Sequence, residues 1–434
     1  MINNPSIALS RRDLLKGTAA AGAVMLAAGV PFASAAGATS RGAARLKVGV
    51  IGCGGRGTGA AVNILEAGDD AEIWALGDAF SDRLNGCLGE LQSQEVGRGR
   101  VNVDASRMFA GFDAYSNVIA SGVDLVILAT PPGFRPIHLD AAVKAGKHVF
   151  MEKPVAVCPA GIRSVLESAA QAKERKLNIV TGTQRRHEKC YLEALKRVHA
   201  GEIGEVVSAS VFWNQGGLWM NKRQPAWSDV EWQLRNWLYF PWLSGDHICE
   251  QHVHNLDVAH WAMGTVPLRC TALGGRQVRT SPEYGTVFDH FAVEYEYEGG
   301  RSVSSQCRQI DGCASRVEEV IRGTTGHAVT ASGRARLAGK NEWKFTGDQE
   351  NPYVSEHKSL LAGITGKGPY VNEGEQIAHS TLMSIMGRMS AYTGKTVTWK
   401  QAMESKLDLR PAPDLTMGSM SAGEVPSPGT TPLT

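Results

Sequence analysis

A glycine-rich stretch at residues 47–57 constrains the fold of this chain more than any other feature. It reads KVGVIGCGGRG, a β-branched run that breaks into a turn, and apolar residues then follow at helical spacing. The pattern predicts a strand, a tight turn and a helix. Gly52 would let the chain turn, Gly54 would let backbone N–H groups approach a pyrophosphate, and Gly57 would let the helix pack close to the strand. We therefore predict that a dinucleotide binds at the helix N-terminus, in contact with Gly52, Gly54, Gly55, Arg56 and Gly57.

A second β-like run, residues 71–77, ends in Asp78. Its spacing from the glycines is about that at which a carboxylate meets the adenosine ribose. This carboxylate favours NAD, because it would repel the 2′-phosphate of NADP, while Arg56 and Arg83 keep NADP open. The alternative interpretation is a glycine turn in any doubly wound sheet, with Asp78 as a solvated loop acid.

Composition bounds the size of the protein and its partners. The chain has 434 residues, of which 43% are hydrophobic and 20% are charged, enough for two domains with their own cores. The formal net charge is +2 and no basic tract is interleaved with aromatic residues, so nothing favours nucleic acid or an anionic membrane as a partner.

The eight cysteines show no CxxC pair and no metal-like spacing. This favours buried free thiols, although Cys307 and Cys313 could pair in an oxidising compartment.

Residues 1–35 are predicted to be a targeting segment. The stretch 10–16 reads SRRDLLK and resembles a twin-arginine motif, and a mildly apolar run and the small residues ASA at 33–35 follow it. We expect export to the periplasm by the twin-arginine pathway and no membrane contact of the mature chain. The alternatives are an amphipathic basic helix and an uncleaved anchor, for which the apolar run is short. Because this pathway carries folded proteins and free nicotinamide cofactor is scarce outside the cytoplasm, a tightly held cofactor is expected.

The following segments alternate between strand and helix patterns, which is typical of a parallel doubly wound sheet. Buried strands are predicted at 123–129, 148–151 and 178–183. Ligands of such sheets lie at the carboxyl ends of the strands. We therefore expect further cofactor contacts from the residues that follow these strands, namely Thr130, Pro131, Pro132, His138, Glu152, Lys153 and Gln184.

Four sequence motifs follow the glycine turn. They are ATPP at 129–132, EKP at 152–154, HNLD at 254–257 and WAMG at 261–264. In this order they resemble the Gfo/Idh/MocA oxidoreductases, from about Val48 to about Trp399. The resemblance implies a Rossmann domain, assigned to 36–184, and an α+β domain with an open, mostly antiparallel sheet at 185–400, followed by an extended tail at 401–434. It also implies that Lys153 lies beside the nicotinamide and the sugar, and that the exposed sheet face makes homo-oligomer contacts.

An insertion rich in aromatic residues follows the strand-like alternation at 206–213. Eight Trp, Tyr and Phe residues lie between positions 213 and 242. Sugars stack their apolar C–H faces on such rings, whereas the alternative is a compact loop packed by its own aromatics. We expect Arg235 and Trp237 to approach the cofactor or the sugar, and Tyr239 to contact the sugar.

The predicted chemical centre is the stretch 244–261, SGDHICEQHVHNLDVAHW. Family members typically place an Asp four residues before a His, and Glu250 and His254 occupy these positions on one face of a helix turn. Oxidising a secondary alcohol removes a hydride from carbon and a proton from oxygen, so a base must lie near the hydroxyl. We assign His254 as that base and Glu250 as the group that orients its ring. Lys153 is assigned to hold the oxygen and relay the proton.

Two residues depart from the family pattern. His252 stands where a glycine is usual, and Glu250 replaces the usual Asp. In an extended segment Glu250, His252 and His254 would point the same way and could ligate a metal, but we favour hydrogen-bonding roles and predict no metal site. The predicted substrate contacts are Lys153, Arg185, Trp237, Tyr239, His252 and His254.

Together these features predict an exported NAD(P)-dependent oxidoreductase that acts on a sugar or sugar derivative by hydride transfer. One alternative is a redox-neutral glycoside hydrolase or lyase that acts through a transient keto-sugar, which the extra histidine and glutamate favour. A further alternative is a non-catalytic sugar-binding protein. The presence of both Lys153 and His254 argues against it, because binding alone would not need both.

Overall fold

The N-terminal domain is built on a six-stranded parallel sheet. The computed structural model describes residues 45–434, and the predicted export signal lies outside these residues. The strands are β1 (Leu46–Ile51), β2 (Ala71–Asp78), β3 (Met108–Ala110), β4 (Leu125–Leu128), β5 (His148–Met151) and β6 (Ile179–Thr181), in the spatial order β3-β2-β1-β4-β5-β6. Every residue of β4 is buried, as expected for a parallel sheet covered on both faces.

Helices cover both faces of this sheet. They are α1 (Gly55–Ala67), α2 (Ser81–Ser93), α3 (Ala114–Ala120), α4 (Arg135–Lys144) and α5 (Pro159–Glu174). The strand order reverses between β1 and β4, so the chain leaves these two neighbouring strands in opposite directions and a crevice opens at their carboxyl ends. The predicted doubly wound domain is therefore confirmed, with its ligand crevice beside the glycine turn.

The C-terminal domain is built on a nine-stranded sheet. The strands are β7 (Val206–Gln215), β8 (Arg269–Gly275), β9 (His290–Glu296), β10 (Ser302–Gln309), β11 (Arg316–Gly323), β12 (Gly326–Ala331), β13 (Arg334–Gly339), β14 (Trp343–Lys344) and β15 (Val397–Thr398), in the spatial order β14-β13-β12-β11-β7-β10-β9-β8-β15. All neighbours are antiparallel except β7 and β10. Burial alternates along β9, so one face of the sheet packs on the protein and the other is exposed. The predicted open, mostly antiparallel sheet is confirmed.

Further helices link the two sheets. They are α6 (Lys189–His199), α7 (Asp229–Arg235), α8 (Pro241–Ser244), α9 (His247–Glu250), α10 (Val253–Met263), α11 (Pro352–Thr365), α12 (Gly374–Thr393) and α13 (Trp399–Glu404). Helix α12 is buried along most of its length and packs on both α5 and β8, while α11 packs on α1. The second half of the chain thus returns to the N-terminal domain at α1 and at α5.

The C-terminal tail packs on its own chain. It begins after α13, which continues to Glu404 and so past the boundary expected at residue 401. The amide of Val230 donates to the carbonyl of Gly418, and the side chain of Gln233 donates to the carbonyl of Met420 at 3.0 Å. The tail therefore braces α7, the helix that carries Arg235.

The structure also bears on the thiols and on membrane contact. All eight cysteines are free, and seven of them are buried while Cys313 is exposed, so Cys307 and Cys313 do not pair. Within residues 45–434, no helix combines the length and the apolar character needed to cross a lipid bilayer.

Candidate active site

The glycine turn lies at the head of a cavity of about 660 Å³ between the two domains. Gly52 has a φ of +97°, and a Cβ there would lie 2.5 Å from the amide nitrogen of Thr130. A Cβ at Gly57 would overlap the carbonyl oxygen of Gly52, so only glycine lets α1 pack this close to the turn. A Cβ at Gly54 would meet no atom within 4 Å, which leaves open space in front of the N-terminus of α1. The first turn of α1 carries no acidic residue. The cradle therefore fits the pyrophosphate of a dinucleotide.

Asp78 ends β2 and lines the same cavity. Its carboxylate accepts hydrogen bonds from the amide of Cys53 at 2.7 Å and from the amide of Phe80 at 3.0 Å. Burial raises the pKa of this carboxyl, although both hydrogen bonds favour its ionised form. Asp78 thus ties the glycine turn to the end of β2, where a ribose would lie.

Arg135 holds the ends of two neighbouring strands together. This buried guanidinium donates to the carbonyl of Leu128 at 2.7 Å, to that of Thr130 at 2.8 Å and to that of Glu152 at 2.9 Å. His138 lies beside it, with Nδ1 3.2 Å from the hydroxyl of Thr130. Burial and the charge of Arg135 lower the pKa of His138 to about 3, so its ring is neutral. These contacts fix the loops after β4 and β5 as one rigid wall.

Arg56 reaches from α1 to this wall. Its Nε lies 2.5 Å from Oε1 of Glu152, and its guanidinium lies 5.0 Å from the centre of the Tyr353 ring. Behind it, on α11, Glu356 is fully buried, and both of its oxygens lack a hydrogen-bond partner among the described residues. Burial, together with the charge of Glu152, raises the pKa of Glu356 well above its ordinary value. Glu356 therefore takes up a proton more readily than an ordinary glutamate, although the guanidinium of Arg56 lies 4.0 Å from its Oε1 and favours the ionised form.

Lys153, Glu250 and His254 line the same cavity as the glycine turn. The Lys153 ammonium donates to the carbonyl of Glu250 at 2.7 Å and lies 3.8 Å from its carboxylate. Burial raises the pKa of the Glu250 carboxyl, and the charge of Lys153 offsets part of that rise. Burial lowers the pKa of His254 well below its ordinary value, and the charges of Lys153 and Arg185 lower it further. The site therefore offers a neutral imidazole and a carboxyl that takes a proton more readily than usual.

The aromatic insertion covers the other side of the cavity. Arg235 on α7 forms salt bridges with Asp82 at 3.0 Å and with Glu231 at 2.9 Å, and its guanidinium lies 4.1 Å from the centre of the Phe80 ring. Trp237 follows on the next turn and lines the cavity. The insertion of the C-terminal domain is thus fastened to α2 of the N-terminal domain.

Comparison with family models identifies the architecture. Residues 46–179 match the model GFO_IDH_MocA, described as an oxidoreductase family with an NAD-binding Rossmann fold, and residues 191–329 match the GFO/IDH/MocA C-terminal domain. The chain belongs to the Gfo/Idh/MocA family of oxidoreductases.

Individual relatives of this Gfo/Idh/MocA protein are distant. It is 28% identical over 180 residues to the 2,7-anhydro-N-acetylneuraminate hydratase of Escherichia coli (strain K12). That alignment covers 41% of this chain and 44% of the hydratase. It is 22% identical over 372 residues to the myo-inositol 2-dehydrogenase of Thermotoga maritima, which covers 82% of this chain and 100% of that protein. The crystal structure of the aldose-aldose oxidoreductase from Caulobacter crescentus superimposes with a TM-score of 0.63 at 18% identity, over 82% of this chain and 99% of that one, which shows a shared fold. The chain spans between 44% and 60% of the length of the first curated relatives that it matches.

Most residues predicted for the site of this Gfo/Idh/MocA protein line the cavity. The ones that do are Gly52, Gly54, Gly55, Arg56, Asp78, Thr130, Pro131, Pro132, His138, Glu152, Lys153, Gln184, Arg235, Trp237, Glu250 and His254. Gly57 does not line it and serves the packing of α1 on the turn.

Three predicted substrate contacts lie away from the cavity. Arg185 is buried in an ion pair with Glu319. The hydroxyl of Tyr239 donates to the carbonyl of Trp219 at 2.9 Å, and Nε2 of His252 lies 2.7 Å from the hydroxyl of Ser305. All three side chains hold the protein around the site together and do not face the space where a ligand would lie.

The metal alternative required an extended segment at 250–254, and the structure differs there. Helix α9 ends at Glu250 and α10 begins at Val253, so the alternation that would align Glu250, His252 and His254 does not occur. In the described part of the chain, His, Cys, Asp and Glu side chains nowhere gather in a group of three or more that could hold a metal ion.

Several cavity residues were not anticipated from sequence. They are chiefly apolar, aromatic or amide side chains, among them Phe80, Phe112, Tyr115, Phe134, Asn221, Gln251 and Tyr353. Phe134 directly follows the ATPP loop and Phe80 follows Asp78 by two positions, so their closeness to predicted site residues was an available signal. Tyr353 lies on α11 and had no such signal.

Proposed function

We propose that this chain is an exported NAD(P)-dependent oxidoreductase that removes a hydride from a sugar or a related polyhydroxylated ring. The observation that carries the proposal is that Lys153, Glu250 and His254 line one cavity together with the glycine cradle. A bound nicotinamide would accept the hydride and return it. The likeness to a myo-inositol dehydrogenase supports a ring with several hydroxyl groups as the substrate.

The residues divide the work around the reacting hydroxyl. Lys153 is positioned to hold the hydroxyl oxygen, because its ammonium lines the cavity and is anchored by the carbonyl of Glu250. His254 is neutral and can accept a proton from that oxygen. Glu250 does not orient this ring as predicted, because no hydrogen bond joins the two side chains and Nδ1 of His254 has no hydrogen-bond partner among the described residues. The imidazole instead stacks on Trp213, with the ring centres 5.7 Å apart and the planes 23° apart. The buried carboxyl of Glu250 can take up the proton that Lys153 relays.

We also propose that the cofactor stays bound between turnovers. The clamp of Arg235 on Asp82 and the tail behind α7 support this, because they oppose opening of the cavity. An exported enzyme with a trapped cofactor would have to oxidise one sugar and reduce another at the same site. NAD is favoured over NADP by Asp78.

The second candidate is a redox-neutral hydrolase or lyase that oxidises its sugar only transiently. The specific observation in its favour is a second acid–base pair, Asp246 and His247, on the same short helix as Glu250, whose carboxylate and Nδ1 lie 3.2 Å apart behind the cavity lining. The likeness to a hydratase, whose name denotes no net oxidation, points the same way.

Self-association is proposed from the exposed face of the second sheet. Leu273 on β8 is 76% exposed and lies on the same sheet face as the exposed Arg269 and Thr271. A second copy of this chain would cover this apolar side chain. Light scattering of the purified protein tests this proposal, and a monomer at micromolar concentration would refute it.

One experiment separates the functional candidates. The purified protein is denatured and the released nucleotide identified, and the intact protein is then incubated with sugars and aryl glycosides without added cofactor. Sugar-dependent change at the nicotinamide absorbance without aglycone release supports the oxidoreductase. Release of the aglycone without a net change in nicotinamide absorbance supports the hydrolase or lyase. A protein that holds no nucleotide and reacts with no sugar contradicts both.

A further inference from the structure

The carboxylate of Glu152 lies directly beside Lys153 in the chain and is buried, at 6% exposure. Its Oε2 accepts a hydrogen bond from the backbone amide of Lys153 at 3.3 Å. On its other side the carboxylate lies against Gly182, just after β6, where a Cβ would overlap Oε2. Only glycine at position 182 leaves room for it. A buried anion is therefore held one residue away from the ammonium on which the proposed reaction depends.

This carboxylate competes for the Lys153 ammonium. A lysine side chain is a flexible four-carbon stem that ends in a point charge. A buried carboxylate without a partner is strongly destabilised, so it binds a cation within reach. The ammonium nevertheless turns to Glu250, where it donates to the backbone carbonyl at 2.7 Å and lies 3.8 Å from the carboxylate. Another cation must balance the charge of Glu152 for this direction to persist.

Arg56 balances that charge. Its Nε lies 2.5 Å from Oε1 of Glu152, and among the described residues it is the only cation within 4.0 Å of this carboxylate. The guanidinium of Arg135 is also close, but it donates to backbone carbonyls, that of Glu152 among them. Burial would lower the pKa of Arg56, but the charges of Glu152 and Glu356 outweigh it and raise the pKa. Arg56 therefore stays charged.

Side chains of α1 and α11 aim the Arg56 guanidinium at Glu152. Oδ1 of Asn63, two turns further along α1, lies 3.4 Å from both Nη1 and Nη2. The centre of the Tyr353 ring lies 5.0 Å from the guanidinium carbon. Glu356 is more distant than Glu152, at 4.0 Å from Nη2. Burial, with the charge of Glu152, raises the pKa of Glu356, so Glu152 is the stronger anionic partner of Arg56.

We propose that Arg56 is a positioning residue for Lys153. By pairing with Glu152, Arg56 keeps that carboxylate from binding the ammonium of Lys153. The ammonium therefore stays directed at Glu250 and at the substrate oxygen. This deepens the proposed function and rests on it, since Lys153 holds the reacting hydroxyl there. Arg56 also lies in the first turn of α1, whose N-terminus is the glycine cradle. One residue thus connects the nucleotide cradle to the direction of the lysine.

Two variants and a control test the proposal. Arg56→Met removes the charge and keeps an unbranched side chain, so Glu152 should then bind the ammonium of Lys153. The double variant Arg56→Met/Glu152→Gln also removes the competing charge and keeps an oxygen that can accept from the Lys153 amide. Arg163→Met is the matched control. Arg163 donates to two backbone carbonyls at 2.7 and 2.8 Å and does not line the cavity.

Carbodiimide cross-linking reports the direction of Lys153 without turnover. The reagent activates a carboxylate, a neighbouring amine attacks it, and an amide forms while the carbodiimide takes up the water as a urea. Mass spectrometry of the digested protein locates the link. We expect Lys153 to link to Glu250 in the wild type and in Arg163→Met. In Arg56→Met the link should move to Glu152, with the Glu250 product reduced at least about fivefold. The double variant should restore the Glu250 link.

Sugar oxidation supplies the second measurement, and its rate is counted per bound nucleotide so that unfolded protein does not contribute. Arg56→Met should be slower than the wild type by about 100-fold, because misplacing a reacting group by about 1 Å can cost that much. The double variant should be at least about tenfold faster than Arg56→Met. If Arg56 served only to join α1 to the end of β5, the second substitution would bring no gain, because it restores no contact.

Three results would overturn the proposal. A wild-type protein that does not link Lys153 to Glu250 does so without any variant, so the test does not depend on the folding of Arg56→Met. An unchanged cross-link in Arg56→Met does so as well, as does a double variant that is no faster than Arg56→Met. If the protein holds no nucleotide and oxidises no sugar, the proposed function fails. The cross-link then still decides whether Arg56 directs Lys153.

Discussion

Arg235 of the C-terminal domain donates two hydrogen bonds to the carboxylate of Asp82 in the N-terminal domain, at 3.0 and 3.1 Å. The hydrogen bond from Arg235 lowers the pKa of Asp82 below its ordinary value. The guanidinium also lies between the rings of Phe80 and Trp227, with centroids at 4.1 and 5.1 Å. Because Arg235 and Phe80 line the cavity, this contact joins the two domains beside the space that a cofactor would occupy.

Loss of this contact should speed release of the nucleotide. In Asp82→Asn we expect release to accelerate by about 2- to 5-fold, since the Asp82 side chain is 60% exposed and partly exposed ion pairs contribute little more than 1 kcal/mol. The measurement is the dissociation rate of the reduced nucleotide, followed by the change in nicotinamide fluorescence after the loaded protein is diluted into an excess of competing nucleotide. Asp140→Asn, which breaks an exposed pair with Lys144 on α4, is the control and should leave the rate unchanged. Equal rates in both variants would show that Arg235 does not retain the cofactor.

The glycine turn predicts opposite outcomes for two substitutions. Gly57→Ala should lower the free energy of unfolding by about 3 kcal/mol or more, because its Cβ would overlap the backbone oxygen of Gly52. Gly54→Ala should change stability by less than about 1 kcal/mol, since its Cβ meets only open space. The same Cβ would stand where the pyrophosphate binds, so Gly54→Ala should lose its nucleotide. Urea denaturation measures the stability of both variants, and the nucleotide released on denaturation measures binding. If Gly54→Ala keeps its full complement of nucleotide, the pyrophosphate does not bind at Gly54.

Asp78 should set the preference between NAD and NADP. Asp78→Asn keeps an oxygen that can accept from the amide of Cys53 and removes the charge that repels a 2′-phosphate. We expect the affinity for NADP relative to NAD to rise by about tenfold. Calorimetric titration of both nucleotides into nucleotide-free protein measures the ratio. Glu72→Gln, at an outward position of the same strand, is the control, and a ratio that moves equally in both variants would refute the assignment.

Lys153 should be needed for chemistry and not for cofactor retention. Lys153→Met should slow sugar oxidation by at least about 100-fold, because the group that holds the oxygen and relays its proton is gone. Nucleotide content should stay at the wild-type level. Lys147→Met, which removes an ammonium bonded to the carbonyl of Val123 away from the cavity, is the control. Unchanged sugar processing in Lys153→Met would remove this lysine from the mechanism.

Buried histidines should make the protein sensitive to acid. Burial lowers the pKa of His252 to about 3, against an ordinary value of 6.5. A depressed pKa contributes stability that is fully present above pH 6.5 and is lost as the pH falls towards 3, because the unfolded chain binds the proton first. Burial of this one ring should make the free energy of unfolding about 2 kcal/mol lower at pH 5 than at pH 7.5.

The variant His252→Gln should lose that part of the acid sensitivity. The difference in unfolding free energy between pH 7.5 and pH 5 should shrink by about 2 kcal/mol. Ser305→Ala is the control, since it removes the hydrogen-bond partner of His252 and keeps the titrating ring. It should lower stability at both pH values and leave their difference unchanged. An equal difference in wild type and His252→Gln would contradict the buried neutral state.

The sequence predicted best what depends on short-range backbone geometry. The turn around Gly52 needs glycines at fixed spacing, which the sequence shows directly. The carboxyl ends of β4 and β5 lie at the same edge because both strands belong to one parallel sheet. The order of the residues alone therefore places Lys153 and Thr130 together. The parallel doubly wound domain followed from the same reasoning, whereas the open antiparallel sheet was an implication of the family resemblance, and both architectures are confirmed.

Side-chain direction outside regular elements could not be predicted. A break between α9 and α10 changes the phase of the chain, so His252 turns to Ser305 while His254 faces the cavity. Arg185 directly follows Gln184, which lines the cavity, yet it turns inward to Glu319. Tyr353 joins the site through packing of α11 on α1, a contact between distant parts of the chain that leaves no local pattern.

The parallel pairing of β7 with β10 bears on the order in which the protein assembles. Ser208 pairs with Ser302 and Gln215 with Gln309, so the segment between them, which includes the aromatic insertion and helices α9 and α10, forms one long loop that this pairing closes. Closing a long loop costs chain entropy before any contact rewards it, and such pairings form slowly. The insertion and the acid–base residues can therefore settle only after the slowest strands have met. Capture of a nucleotide that needs the completed cavity should accordingly be a late event in folding.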